Sequence, residues 1–283
     1  MPRLAVLGTG SMGAGIAQVA AQAGYAVLLW NRSEASVAHK GLPAIRRGLD
    51  RQLERGQLDF DEHAACLARI EPSWTLEDVK SCELVLECVP EDRELKVELY
   101  RHLGELVPQA AIFASNTSSL SITELGRLSG RPDRFVGLHF FNPVAAMKLV
   151  ELVSGEATSP ETLQTARALA LRLGKVPIEV RDLPGFAVNR IVMPMINEAA
   201  TALMQGVAPA ESIDACMKLG CNHPMGPLAL ADLIGLDVVY AILETLYQEF
   251  GMPHYKPCPL ITKKIEAGWL GQKTGRGFYT YPA

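Results

Sequence analysis

His139 interrupts an otherwise apolar run, Phe135-Val136-Gly137-Leu138-His139-Phe140-Phe141. Glu151 does the same in Lys148-Leu149-Val150-Glu151-Leu152-Val153, where strand alternation puts it on one face with Leu149 and Val153. A buried carboxylate is costly unless paired, and a buried imidazole also needs partners. Two such residues in neighbouring runs point to each other. An imidazole held by an orienting carboxylate is a general base whose protonated form the anion stabilises. Spacing alone leaves a satisfied structural hydrogen bond open as the other reading.

The run Leu4-Ala5-Val6-Leu7 leads into Gly8-Thr9-Gly10-Ser11-Met12-Gly13, and a helical pattern follows. In such a strand–loop–helix unit the first glycine allows the tight turn. The second removes a Cβ that would block a pyrophosphate, and the third lets helix and strand pack closely. Backbone N–H groups and the dipole at the helix start then hold the anion. Gly8, Thr9, Gly10, Ser11, Met12 and Gly13 are therefore expected to bind a dinucleotide. The second strand should end on the group that meets the adenosine ribose. A carboxylate there accepts from the 2′-hydroxyl and repels a 2′-phosphate. Here stand Asn31, Arg32 and Ser33, which are neutral, cationic and hydroxyl-bearing. That set tolerates a 2′-phosphate, so NAD and NADP both stand open.

These residues need a frame. Short β-rich runs alternate with helical stretches: Leu4–Leu7, Ala26–Trp30, Leu84–Val89, Ile112–Ser115, Phe135–Phe140, Lys148–Val153 and Val176–Val180. The pattern predicts an α/β fold with a doubly wound, Rossmann-type, mostly parallel sheet. Met12 to Gly24 is the first crossover helix. Residues 31–71 show helical spacing, many charges and no strand signal, so a helical arm leaves the sheet there. After Arg181-Asp182-Leu183-Pro184-Gly185 the character changes. Helical periods cover Ala187–Gln205, Pro209–Leu219, Pro227–Phe250 and Pro259–Ala267. A dinucleotide-binding domain over 1–183 and an all-α domain over 184–283 are predicted.

Composition narrows the function. A length of 283 residues favours two domains, and 48% apolar residues suffice for their cores. The net charge of -4, with both signs interspersed, gives no general attraction to nucleic acid. The six cysteines form no CxxC pair and read as small buried hydrophobes, so neither a disulfide nor a metal is expected. Leu4 to Asn31 carry no formal charge, but five glycines divide them into strand, turn, helix and strand rather than a membrane span. The first strand signal begins at Arg3, so no secretory signal is expected, and a cytoplasmic protein without membrane partners is.

With these residues placed, the chain resembles the 3-hydroxyacyl-CoA dehydrogenase family, most of all its bacterial 3-hydroxybutyryl-CoA members. The resemblance spans the whole length. It is carried by LGTGSMGAGIAQ, ASNTSSLSIT at Ala114–Thr123 and HFFNPVAAMKLVELV at His139–Val153. In the second half it is carried by DLPGFAVNRI at Asp182–Ile191, NHPMGPLALADLIGLD at Asn222–Asp237 and the terminal GWLGQKTGRGFYTY. It implies hydride transfer between C3 of an (S)-3-hydroxyacyl-CoA and a nicotinamide, with short chains expected. By motif, His139 takes the hydroxyl proton and Glu151 is its partner. Ser118 contacts the acyl-CoA substrate, and Asn189 comes from the helical domain. The resemblance adds Glu91, Lys96, Asn142 and Lys273 to the cofactor contacts. Asn31 departs from the family's usual acidic residue, which leaves NADP open and the chemistry untouched. Arg47, Arg51 and Arg55 share a helix face at i, i+4 and i+8. The resemblance makes the arm a cover for CoA, with Arg47 and Arg51 on its phosphates. The apolar helices near Ile191-Val192-Met193 need cover, which a homodimer or packing within the chain would supply; a homodimer is expected. Two rivals are a dehydrogenase of a free hydroxy acid linked to NADP, and a catalytically silent dinucleotide-binding protein. The HFFNP…VE arrangement of His139 and Glu151 argues against the first, and intact His139, Glu151, Ser118 and Asn189 against the second.

Overall fold

The computed structural model describes residues 3–282. The chain divides into two compact units, Met1–Leu183 and Pro184–Ala283. The first holds an eight-stranded sheet, and the second is helical.

In the first unit β1 (Arg3–Leu7) leads through the glycine loop to α1 (Ser11–Gln22) and β2 (Ala26–Trp30). Both strands are buried beyond their first residue. Alanines and glycines fill the inner side of α1, so the helix lies close on the sheet. The arm follows. A short turn α2 (Glu34–Ser36), capped by the Ser33 hydroxyl, runs through a π-turn at Val37–Gly41 into α3 (Leu42–Glu54). Then comes α4 (Phe60–Ala68), whose start is a reciprocal capping box between Asp59 and Glu62.

The arm closes on a strand that the sequence pattern lacks. β3 (Ile70–Ser73) pairs in parallel with the outer side of β2. Its signal was masked by Glu71 and by Pro72, a residue that sheets tolerate at an edge. The remaining elements are β4 (Leu84–Glu87), α5 (Arg93–Leu106), β5 (Ile112–Ser115), α6 (Ile122–Leu128), β6 (Phe135–Phe140), β7 (Leu149–Ser154), α7 (Pro160–Arg172) and β8 (Val176–Arg181). The order across the sheet is β3-β2-β1-β4-β5-β6-β7-β8. Every neighbouring pair is parallel except β6 and β7. The strand order reverses beside β1, and doubly wound sheets bind ligands at the carboxyl ends of the strands there.

The second unit packs α8 (Val188–Met204), α9 (Ala210–Cys221), α10 (Pro227–Ile234), α11 (Leu236–Phe250) and α12 (Pro259–Glu266) around Met193, Ile196, Leu228, Leu243 and Ile261. The single helix expected over Pro227–Phe250 is two. Gly235, at φ 103°, breaks it, a conformation helices do not sustain. Two buried aspartates tie the unit together. Asp214 accepts from the Leu228 and Ala229 N–H groups at the start of α10, and Asp232 accepts from those of Phe278 and Tyr279 in the tail. Cys66, Cys82 and Cys258 are buried as expected, but Cys216 and Cys221 are exposed on the outer side of α9, which corrects the general reading of buried thiols. No helix among the described residues is long and apolar enough to cross a membrane.

Candidate active site

The glycine loop follows β1 and sits next to the end of β4. Gly8 has φ 124°, and a Cβ there would lie 2.4 Å from the Cys88 carbonyl oxygen. A Cβ on Gly13 would lie 2.0 Å from the Gly8 carbonyl oxygen. Packing therefore excludes any side chain at either position. Gly10 is different. A Cβ there would meet no protein atom within 4 Å, so the fold does not require glycine at that point. What remains is the close approach of a ligand to backbone at the start of α1, and the loop fits the pyrophosphate of a dinucleotide. Thr9 is buried, Ser11 and Met12 begin α1, and Asn31 donates from Nδ2 to Thr9 Oγ1 at 3.2 Å.

Beside this loop the ends of β4 and β5 carry an ionic network. Glu87 and Lys96 are fully buried, and Lys96 Nζ donates to Glu87 Oε1 at 2.6 Å. Glu87 also accepts from Ser115 Oγ at 2.7 Å, the Val89 N–H at 2.7 Å and Tyr100 Oη at 3.3 Å. Lys96 reaches Glu91 as well, at 3.2 Å. Burial pulls the Lys96 ammonium down, but the carboxylates of Glu87 and Glu91 outweigh it and hold the group above its ordinary range. Glu91 in turn clamps the turn after β5. Its Oε1 accepts from Thr117 Oγ1 at 2.5 Å, the Ser118 N–H at 3.0 Å, the Ser119 N–H at 3.1 Å and Ser119 Oγ at 2.9 Å. Burial pushes the Glu91 carboxyl up, and Lys96 with these donors brings it below the usual carboxylate range. Ser118 is thus half-buried on a turn held by Glu91.

His139 and Glu151 face each other across the only antiparallel pair of the sheet's named strands, as direct register partners. His139 Nδ1 lies 2.8 Å from Glu151 Oε2, with both side chains nearly fully buried. An ionised carboxylate only accepts, so Nδ1 carries the proton and Nε2 is the basic nitrogen of the ring. Asn116, on the turn before Ser118, accepts the Phe140 N–H at 2.9 Å and ties that turn to the residue after His139. Asn142 is exposed and follows two residues later, ahead of a cis peptide to Pro143. Lys175 is buried and donates to the carbonyls of Val144 at 2.5 Å and Met147 at 3.0 Å, fastening the loop between β6 and β7.

One edge of the sheet, at the ends of β1, β4, β5 and β6, therefore carries the glycine loop, Glu91, Lys96, Ser118 and His139. Of the other expected site residues, Arg32, Arg47, Arg51 and Arg55 are exposed on the arm, without an ion pair among the described residues. Asn189 and Lys273 belong to the second unit. Asn189 is 8% exposed in the first turn of α8, and Lys273 Nζ is 2.5 Å from Asp237. Glu87, Asn116, Thr117 and Lys175 escaped the sequence reading. For Glu87 a signal exists, because Leu84-Val85-Leu86-Glu87 sets a carboxylate in apolar sequence just as Glu151 is set.

A family model described as "3-hydroxyacyl-CoA dehydrogenase, NAD binding domain" matches residues 3–183, and its "C-terminal domain" counterpart matches residues 185–281. The chain is 47% identical over 279 residues to the "Probable 3-hydroxybutyryl-CoA dehydrogenase" of Bacillus subtilis (strain 168), covering 99% of this chain and 97% of that protein. It is 46% identical to the "3-hydroxybutyryl-CoA dehydrogenase" of Clostridioides difficile, with 99% of both chains covered. Among solved structures it is similar to the (S)-3-hydroxybutyryl-CoA dehydrogenase of Ralstonia eutropha, with a TM-score of 0.95, 47% identity and both chains fully covered.

Proposed function

Because this chain belongs to the 3-hydroxyacyl-CoA dehydrogenase family, we infer that it interconverts (S)-3-hydroxyacyl-CoA and 3-oxoacyl-CoA, with 3-hydroxybutyryl-CoA as the typical substrate. The observation that carries the reading is the buried His139–Glu151 pair at 2.8 Å on adjacent strands. NAD(H), when bound, would supply the hydride chemistry at C3 in either direction. The protein moves the proton. His139 Nε2 takes the C3 hydroxyl proton as the carbon–oxygen double bond forms, and returns it on reduction. Glu151 keeps the Nδ1 proton in place and stabilises the imidazolium. Ser118 and Asn189 hold the substrate oxygen. Glu91, Lys96, Asn142 and Lys273 serve the cofactor, and with no carboxylate at the end of β2 the site takes NADP(H) as well as NAD(H). Arg47 and Arg51 meet the phosphates of CoA. The protein is a cytoplasmic homodimer.

His139→Gln is expected to lower turnover of acetoacetyl-CoA by about a hundredfold or more while NADH still binds, as befits loss of a general acid–base group. Following NADH consumption and NADH fluorescence side by side checks this, and near-normal turnover overturns the assignment. Replacing Arg47 and Arg51 with Ala is expected to raise KM for acetoacetyl-CoA severalfold more than KM for an acetoacetyl thioester lacking the nucleotide. Equal effects on both substrates would remove the arm from the reading.

A further inference from the structure

His139 and Ser118 act on one substrate oxygen in the reading above, yet one stands on β6 and the other on the turn after β5. Resting on that reading, we propose that Asn116 is a positioning residue for the reaction. Its amide oxygen stands in for a backbone rung missing between that turn and β6, and so fixes Ser118 at the height of His139.

The β5–β6 ladder pairs Phe113 with Phe135, Ala114 with Val136 and Ser115 with Gly137, and there it stops. Ser118 lies three residues past the last pair, and His139 lies two residues past it on the other strand. β6 itself continues to Phe140, held on its far side by β7, where His139 meets Glu151 and Phe140 meets Val150. A β5 that ran on would offer carbonyls to this stretch. The chain turns instead, and Asn116 Oδ1 accepts the Phe140 N–H at 2.9 Å. A backbone donor on this atom identifies it as the oxygen of the amide.

The opposite side of the turn is held by β4. The Asn116 N–H donates to the Glu87 carbonyl at 2.9 Å, so its backbone stays in the β4 ladder while its side chain takes β6. Thr117, Ser118 and Ser119 are gathered by the Glu91 carboxylate. Thr117 also gives its N–H to Ser115 Oγ at 3.2 Å, and its own Oγ1 accepts the Leu120 N–H at 2.9 Å. All of these bonds stay within the turn or run toward β4, the strand on the side of β5 away from β6. Among the described residues, the bond from Phe140 to Asn116 is the one hydrogen bond that joins residues 116–119 to β6. Glu91 therefore sets the shape of the turn, and Asn116 sets its distance from the strand of His139. Phe140 is buried, so losing the acceptor leaves its N–H without a partner and frees the turn on that side. Reacting groups tolerate little displacement, and a shift of ~1 Å costs roughly a hundredfold in rate.

The test compares two ways of changing the amide. Asn116→Leu keeps its outline and removes the acceptor. It is expected to lower kcat for acetoacetyl-CoA by about tenfold or more, while NADH affinity, read by fluorescence titration, stays within about threefold of wild type. Asn116→Ser, too short to reach Phe140, should behave like Asn116→Leu. Asn116→Asp keeps an oxygen for the Phe140 N–H and should regain most of the lost turnover. In a His139→Gln background, Asn116→Leu should lower kcat by less than about twofold, because spacing to an absent base has no further effect. Unchanged kcat in both Asn116→Leu and Asn116→Ser overturns the proposal. So does an equal loss in the two backgrounds, or an Asn116→Asp protein no faster than Asn116→Leu. Each of these leaves His139 as the proton-transfer group. Near-normal turnover by His139→Gln alone would instead overturn the reading on which the proposal rests.

Discussion

Glu87 and Glu151 are the same oddity in the sequence, a carboxylate inside apolar β-sequence, and both are buried to within 1% of complete. Their partners differ. Glu87 accepts from the Lys96 ammonium, the Ser115 and Tyr100 hydroxyls and the Val89 N–H. Burial pulls the Lys96 ammonium down, but Glu87 and Glu91 outweigh it and hold the group charged. Glu151 instead meets the imidazole of His139, a ring that can carry or give up a proton at either nitrogen. A carboxylate saturated by permanent donors is frame. A carboxylate joined to a titratable ring at the ligand edge of the sheet can serve chemistry. Burial makes the first necessary and the second effective, since both interactions gain strength away from water.

Removing the permanent partner tests the contrast most severely. Lys96→Met strands a buried carboxylate and is expected to cost about 3–5 kcal/mol of stability, read as a large drop in the urea midpoint. His139→Gln should leave that midpoint nearly in place while lowering turnover by about a hundredfold or more. If the two variants lose stability equally, the division between frame and chemistry fails. The Lys96 pKa is raised, so its contribution is complete below the unfolded value, about pH 10.4. It fades only as pH climbs through the higher folded value, and the gap between wild type and Lys96→Met should narrow only in that alkaline range.

Glu91 lies between the two cases, because it belongs to the ionic network but grips the turn that carries Ser118. Its carboxyl is held below its ordinary range. A lowered acid stabilises the fold above the unfolded value, about pH 4.3, and loses that contribution as pH falls through the folded value. Glu91→Gln should therefore flatten the acid limb of the stability profile and raise KM for acetoacetyl-CoA severalfold. An unchanged acid limb would detach Glu91 from the network. The smallest effect is expected at Lys175, whose ammonium fastens the β6–β7 loop through two carbonyls. Lys175→Met should cost about 1–3 kcal/mol, visible by thermal melting, with a modest rise in KM for NADH through the loop that carries Asn142. A turnover loss as large as that of His139→Gln would move Lys175 into the chemistry.

Much of this was legible before any coordinates. Alternating apolar runs located seven of the eight strands, and the glycine spacing located the turn between β1 and α1. β3 stayed hidden because an edge strand needs little apolar sequence and can carry Pro72. The break at Gly235 stayed hidden because the residues on both sides keep a helical period. His139 and Glu151 stood out because each was polar where its neighbours were not. Asn116, Thr117 and Lys175 stood out in nothing. They are ordinary loop and helix-end residues whose importance lies in which backbone groups they meet.

Sequence alone settled which residues are out of place: a glycine series after a strand, an imidazole and a carboxylate in apolar runs, an amide where the family resemblance leads one to expect an acid. Periodicity and burial cost are local properties, and local properties are written along the chain. Only the folded sheet decided that Glu151 faces His139 in register while Glu87 faces Lys96, and that Asn31 turns toward Thr9. Those pairings join positions many residues apart, and the chemistry of a buried charge depends on the partner that packing brings to it.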